Sequence, residues 1–514
     1  MSRVLAAVVR SVAREMLRPR FRRFERVLAH PASAQVETLG RILRGIARSE
    51  YGRAYGMTGG EGYEAFRSKL PIVEYEDLRP WIERQANEGG LVLTGGPVSL
   101  YERTSGSSGA EKLIPYPPAL LRSFRSCAAL WAGDLLLHGP RLRTGRVFFS
   151  MSPPFQDPGR TPAGARIGLA DDIEYFLPAA RWVVERCAVQ PPGITQMRDP
   201  AEYRLRLARA LLAEPALEIV SIWSPTYLLA LLDFIEMHSA CLAGDLAPSR
   251  RALLDRLPIP WARVWPELKL LSCWTDAGAA AFVPALRERF PGVEIQGKGL
   301  LATEGPMTLP LHGAPAPVPL LDEVFLEFAA DDGAVVRLHE LRDGREYSVI
   351  LTQAGGLARY RMHDRVAAAG CYCGTPCLRF LGRDNQLSDV VGEKLHEAFA
   401  RDALDAAFGP GAGCAFLVPV RRGSTGPAYV CVTDVEAAAE PGRIQGLETR
   451  LALAFHYRQA RLLGQLKPVR VIVRADARAR YERHFLRRGM KWGNIKPSVL
   501  LTDPTDREVR ALVG

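Results

Sequence analysis

No apolar run in this 514-residue chain approaches the roughly 20 residues that a bilayer-spanning helix needs, so an integral helical membrane protein is excluded. The apolar start Leu5-Ala6-Ala7-Val8-Val9 is cut by Arg10 and makes no convincing secretory signal, which leaves a cytoplasmic location as the expectation. Cysteine is scarce: nine residues, an odd and scattered set, argue against a disulfide framework and for free thiols. Cys371, Cys373 and Cys377 share one turn-rich stretch, but neither a CxxC partner nor a nearby histidine pair supplies the fourth ligand of a structural zinc, and a hairpin loop is expected there. Internal repeats and long low-complexity tracts are also missing.

What remains is the composition of a globular protein, 47% hydrophobic and 24% charged. The formal charge of +11 comes largely from dispersed arginines, with one dense patch at Arg18-Pro19-Arg20-Phe21-Arg22-Arg23. Val4, Val8, Val12 and Met16, then Phe21, Phe24 and Leu28, recur at helical spacing, which puts that patch on the wet side of amphipathic helices. No nucleic-acid recognition motif accompanies it, and no specific nucleic-acid partner is expected.

The length calls for more than one domain. Helices broken at Pro31 and at Gly59-Gly60 fill the first 87 or so residues. An apolar helix over Leu120 to Leu137 precedes a strand–helix alternation running to Gln296, the pattern of an α/β domain. From Glu323 the texture changes to strands separated by turns, an antiparallel sheet or small barrel. Beyond Gly382 a second, smaller unit alternates helices and strands. The predicted division is 1–382 and 386–514, with a hinge at 383–385.

Five segments carry polar groups that could do chemistry. Thr104-Ser105-Gly106-Ser107-Ser108-Gly109-Ala110-Glu111-Lys112 is dense in hydroxyls and glycine, and its backbone N–H groups, hydroxyls and Lys112 could grip a polyphosphate. Leu91-Val92-Leu93 and Val98 to Tyr101 read as strands before it and Leu113-Ile114-Pro115 as one after, so no helix N-terminus follows, and the adjacent Gly-Lys-Ser/Thr of a Walker loop is missing. A flexible connection has the same composition. Thr303 and Glu304 follow an apolar run, where a carboxylate could hold Mg²⁺ or simply end a turn. Alternation in Gly356 to Asp364 places Asp364 at a strand end, able to accept both hydroxyls of a ribose or to close a hairpin. Arg383 and Lys394 flank the expected hinge, and Lys496 lies in a tight loop near the C-terminus.

In this order the segments resemble the auxin-responsive Gretchen Hagen (GH3) family of acyl acid amido synthetases, in a bacterial-type form, within the adenylate-forming superfamily. The resemblance rests on Thr104 to Pro115, Ala302-Thr303-Glu304, Gly356 to Asp364, the group Phe380, Arg383, Asn385, Lys394 and Glu397, the stretch Tyr457-Arg458-Gln459-Ala460-Arg461, and Arg488-Gly489 with Asn494-Ile495-Lys496-Pro497. It implies a large N-terminal adenylate-forming domain of mixed α/β sheets plus a small antiparallel barrel, with a smaller mobile α+β C-terminal domain. It also implies a two-step reaction in which ATP activates a carboxylic acid as acyl-AMP and an amine, usually an amino acid, takes the acyl group.

By the same resemblance, Ser105 to Lys112 hold the triphosphate, Glu304 the Mg²⁺, Asp364 the ribose, Arg383 and Lys394 the nucleotide, and Lys496 the α-phosphate. The sequence departs from the family where an aromatic is replaced by Leu300 and where the glycine before the ribose aspartate is replaced by His363. Acyl specificity is expected from the least similar region, with Trp223, Thr226, Trp274 and Thr275 as pocket walls. An acyl-CoA ligase and a non-catalytic acyl- or anion-binding relative are the alternatives.

Overall fold

A computed structural model describes residues 3–104, 112–149, 159–168, 186–191, 193, 197, 199–244, 246–383, 387–388, 390–391, 393, 395–421, 426–462, 465–490, 492–502 and 504–514. Ser105, Gly106, Ser107, Ser108, Gly109, Asn385 and Lys394, named above, lie outside the described residues. The chain divides into two compact units, the first built from residues up to Thr104, Lys112–Ala277 and Val283–Leu381, the second chiefly from Gly382–Gly514.

The first unit opens on the helices Arg3–Leu28, Pro31–Ile46, Glu50–Ala54, Tyr63–Lys69 and Tyr75–Glu88. Pro31 starts its helix at a position whose N–H has no helical acceptor anyway. Ser49 caps the next by accepting from Gly52 N at 2.9 Å. Asp77 reaches back to Glu74 N at 2.8 Å, one half of a capping box.

Within Arg3–Leu28 the apolar face differs from the expected one. Phe21, Phe24 and Leu28 are buried, but Val8, Val12 and Met16 face solvent. Five residues of helix turn the side chain by about 140°, so the series ending at Met16 cannot share a face with Phe21; the inner stripe runs instead from buried Ala6 to Phe21, with Leu17 one turn before Phe21 half-buried against Gly133.

Leu91-Val92-Leu93 is not a strand either. Its backbone is occupied by other partners: Leu91 O and Val92 O accept from Glu50 N and Tyr51 N, both at 2.9 Å. Gln85 Oε1 accepts from Leu93 N and Thr94 N at 2.8 and 3.1 Å.

Among the described residues the three sheets of this unit with more than two strands follow. Lys112–Pro115, Leu100–Thr104 and Arg166–Ile167 form the first, antiparallel across its first pair and parallel across its second. Arg146–Phe149, Leu217–Ser221, Leu270–Ser272 and Glu294–Gln296 lie side by side in chain order, all parallel. Strand Leu217–Ser221 is buried at every residue, as a central parallel strand must be. The third sheet has the order Val335–Arg337, Phe325–Ala329, Glu346–Thr352, Tyr360–Tyr372, Thr375–Arg383. Cys371 and Cys377 flank the tight turn between its last two strands and Cys373 lies in it, and all nine cysteines are free thiols.

The second unit holds the hairpin Leu387–Ser388 with Leu395–His396, and a sheet in which Ala428–Thr433 pairs antiparallel with Ala415–Val420 and parallel with Arg470–Val473. The sequence reading missed Ala415–Val420. Two helices, Pro441–Leu451 and Phe455–Leu462, come between the strands Ala428–Thr433 and Arg470–Val473. Tyr457 and Arg461 both bond Glu448, whose carboxylate also accepts from Val469 N at 2.7 Å, so that part of the family-like stretch braces helix against sheet.

A charge network centred on buried Asp134 ties the helix Pro118–Leu137 to the parallel sheet. Asp134, fully buried, accepts from His312 N at 2.9 Å and lies 2.6 Å from His312 Nδ1, while His312 Nε2 stands 2.9 Å from Glu294. The Asp134 hydrogen bond raises the His312 pKa against the opposing effect of burial. The protonated imidazole therefore stabilises the fold fully below the ordinary value of 6.5, and this contribution is lost as pH rises through the raised folded value. The thermal midpoint is expected to fall as pH rises above neutrality and to fall less steeply in His312→Gln, measured as Tm against pH in both proteins.

Candidate functional site

Thr104 and Lys112 face each other at the open end of the first sheet, bracketing the seven residues 105–111. Tyr75, at the start of its helix, accepts from Leu113 N at 2.9 Å, and the Lys112 ammonium stands 5.1 Å from its ring centroid. The helix end thus fixes the strand that leads out of the loop, and the lysine rests on an aromatic face.

Immediately after that strand Tyr116 donates to Thr303 O at 2.6 Å. Thr303 and Glu304 form the turn between Leu301–Ala302 and Gly305–Pro306, so this bond ties the loop's exit to the Glu304 turn. Glu304 is only 7% exposed. Its carbonyl accepts from Gln353 Nε2 at 2.9 Å, and Gln353 also bonds Gly355 N at the turn before the Asp364 strand. Among the described residues no three His, Cys, Asp or Glu side chains converge as a metal cage. Tyr116 and Gln353 were not singled out in the sequence; the available signal for Gln353 was a polar pair, Thr352-Gln353, following the apolar run Val349-Ile350-Leu351.

Asp364 does not end a strand. It lies within Tyr360–Tyr372, where Ser348 pairs with Arg365 but Ile350 pairs with Arg361, leaving Met362, His363 and Asp364 opposite Val349 alone. The bulge lets the strand continue past Asp364, which keeps its place in the buried alternation of the strand and is 5% exposed. His363 carries the bulge with φ of 58°, a left-handed conformation that glycine adopts without steric cost. That is a physical reason for a glycine before the aspartate, the residue the family pattern has there.

Arg359, with φ of 50°, anchors the start of this strand. Its guanidinium binds both oxygens of fully buried Glu327 at 3.0 Å and donates to Arg67 O and Leu70 O at 3.1 and 2.9 Å. Val73 N and Arg361 N complete a bridge between the N-terminal helices and the strand.

Around the second boundary, Arg383 ends Thr375–Arg383. Glu393, next to Lys394 in the chain, accepts from Val390 N and Val391 N at 2.8 Å and from Tyr429, so the backbone there is fixed within the second unit. Lys496 is exposed on a pinned loop: Tyr481 donates to Lys496 O at 2.8 Å and accepts from Ser498 N at 2.7 Å, and Glu397 accepts from Val499 N at 3.0 Å.

The four suggested pocket residues gather at the carboxyl ends of the parallel strands, where ligands bind in such sheets. Trp223 and Trp274 have ring centroids 5.9 Å apart and their backbones are bonded, Trp274 N to Trp223 O at 2.8 Å. Thr226 pairs with Ser224 at 2.6 Å, and Thr275 lies so close to Gly297 that a Cβ there would meet its hydroxyl at 2.7 Å. Asp276, unnoticed in the sequence, accepts from the Phe380 backbone and faces Arg379, while burial raises its pKa.

Comparison with known proteins now bears on the architecture. The GH3 family N-terminal domain profile matches residues 20–252 and the GH3 family central domain profile matches residues 318–383, together more than half of the chain. The chain belongs to the GH3 family. The GH3.10 protein of Oryza sativa subsp. japonica is 26% identical over 435 residues, covering 79% of this chain and 89% of that protein. The indole-3-acetic acid-amido synthetase GH3.8 of Oryza sativa subsp. indica is 25% identical, covering 73% and 70%. The solved structure of the acyl acid amido synthetase GH3.15 in complex with 2,4-DB superposes with a TM-score of 0.81 at 20% identity, covering 98% of this chain and 95% of that one. The α/β fold of this GH3 chain is thus that of a solved relative.

Truncating one partner of a buried ion pair strands the other, at a cost of about 3–5 kcal/mol. In this GH3 protein Arg359→Ala is expected to lower stability by about that much and Arg359→Lys by less, read as the shift in urea midpoint of the first unit's unfolding transition.

Proposed function

We propose that the chain is an ATP-dependent acid–amine ligase, which activates a carboxylic acid as acyl-AMP with release of pyrophosphate and then passes the acyl group to an amine to form an amide. The observation that carries this reading is the Tyr116–Thr303 hydrogen bond of 2.6 Å, which joins the exit of the hydroxyl- and glycine-rich loop to the Glu304 turn. Family membership supports it, as do the names of the relatives, which are amido synthetases of indole-3-acetic acid and of acyl acids.

Adenylation asks a protein mainly to hold phosphates in line and offset their charge. Thr104, the loop residues Ser105, Gly106, Ser107, Ser108 and Gly109, and Lys112 take the triphosphate in this scheme. Glu304 with Thr303 fits a Mg²⁺ held mostly by phosphate oxygens and water, the usual mode for that ion, and the ion would neutralise phosphate charge. Asp364, an acceptor-only carboxylate at a rigid bulge, takes the ribose hydroxyls. Arg383 and Lys394 take the nucleotide beside the hinge.

Lys496 approaches the α-phosphate in the first step, its loop stiffened by Tyr481 and Glu397. Rotation of the second unit about residues 383–385 then withdraws it and admits the amine, for which an amino acid is the proposed acceptor. Trp223, Thr226, Trp274 and Thr275 line the acyl site.

Carboxylate-dependent exchange of labelled pyrophosphate into ATP tests the first half, and absence of exchange over a broad panel of acids would falsify it. Amide product with amino acids and none with CoA is expected in the second half; thioester as the main product replaces the ligase with an acyl-CoA synthetase. Lys496→Ala is expected to slow exchange by roughly 100-fold or more while ATP still raises the thermal midpoint. An unaltered exchange rate removes Lys496 from the mechanism.

A further inference from the structure

One lysine belongs to none of the motifs above, yet the fold brings it into the proposed acyl site. Lys298 follows the strand Glu294–Gln296 and turns back over the carboxyl ends of two neighbouring strands. Its ammonium donates to Ser221 Oγ at 2.8 Å and to Ser272 Oγ at 3.2 Å, the last residues of Leu217–Ser221 and Leu270–Ser272. It stands 5.4 Å from the Trp223 ring centroid and 5.6 Å from that of Trp131. Trp131 is itself fixed by a 2.8 Å bond from its indole N–H to Gln296. The close approach of Gly297 to Thr275 holds the lysine's loop against the rest of the pocket wall.

We propose that Lys298 is a specificity-determining residue of the acyl site, selecting planar acids that carry a second anionic or hydrogen-bond-accepting group besides the reacting carboxylate; this rests on the ligase reading above. Indole faces of Trp131, Trp223 and Trp274 suit a flat, unsaturated body. A cation held by two serine hydroxyls beside the Trp131 and Trp223 ring faces is a directed donor next to aromatic walls. Such a donor discriminates twice: it rewards an acceptor on the ligand, and it penalises an apolar group that would desolvate it without replacing its bonds. Purely hydrocarbon walls reject an added polar group weakly, whereas a site built around a buried donor rejects its absence strongly. Nothing in this role requires Lys298 to touch the reacting carboxylate.

The test uses binding as well as turnover, because aromatic acids entering beside three tryptophans quench their fluorescence. Phenylacetate, 4-hydroxyphenylacetate and 4-carboxyphenylacetate are titrated into the full chain, into Lys298→Met, which keeps the stem over the rings, and into the double variant Ser221→Ala/Ser272→Ala. The wild-type protein is expected to bind the two substituted acids at least about 10-fold more tightly than phenylacetate. Lys298→Met is expected to lose that preference, the substituted acids binding more weakly and phenylacetate as tightly as or more tightly than in the wild type, and the serine variant to lose part of it.

A preference retained in Lys298→Met, or absent from the wild type, overturns the inference. If the preference follows Lys298 but no acid supports pyrophosphate exchange, the ligase reading falls and the binding assignment stands. If exchange proceeds and both variants keep the wild-type order of acids, the ligase stands and the assignment falls.

Discussion

The buried pair between Arg359 and Glu327 is the interaction on which the rest of the first unit depends. Glu327 is fully buried on Phe325–Ala329, and Arg359 satisfies both its oxygens while spending its remaining donors on the carbonyls of Arg67 and Leu70. Tyr63 adds a third hydrogen bond to the same carboxylate at 3.1 Å. Three elements distant in sequence, the N-terminal helices, the antiparallel sheet and the strand that bears Asp364, thus meet at one charge. A charge removed from water is tolerated only when its hydrogen-bonding capacity is met, so these elements cannot separate or slip in register independently.

Short hydrogen bonds then carry that rigidity to the groups with chemical potential. Tyr75 and Tyr116 hold the two ends of Lys112–Pro115, Tyr116 and Gln353 hold the Glu304 turn, and Asp364 lies in the Met362–Asp364 bulge of a paired strand. Within the second unit, Tyr481 and Glu397 do the same for the Lys496 loop. In each case a hydroxyl, an amide or a carboxylate fixes the backbone beside the functional residue. The parallel sheet contributes differently, by ending several strands at one edge where Lys298, Trp223, Trp274 and Thr275 are gathered.

Much of this was legible from local patterns. The helix break read at Pro31 is where one helix ends and Pro31–Ile46 begins, because proline answers a backbone requirement of the first helical turn. The change from helix–strand alternation to turn-separated strands near Glu323 is likewise local. Errors came where a distant partner decided the outcome. Leu91-Val92-Leu93 has the composition of a strand, but Gln85, Glu50 and Tyr51 take its backbone groups. Val8, Val12 and Met16 keep helical spacing, but only a helix laid on its neighbours shows which stripe is covered.

Sequence alone determined the family-like order of motifs, the identity of the charged groups in them and the broad succession of α/β, antiparallel and smaller C-terminal regions, since these follow from residue type and short spacing. Tertiary structure alone decided that Asp364 sits at a bulge with His363 in a left-handed conformation, that Tyr116 reaches Thr303, and that Lys298 lies among tryptophans. The reason is the same throughout: these arrangements join residues 26 to 187 positions apart, or depend on the register of a neighbouring strand, and no periodicity within one segment encodes where another segment will lie.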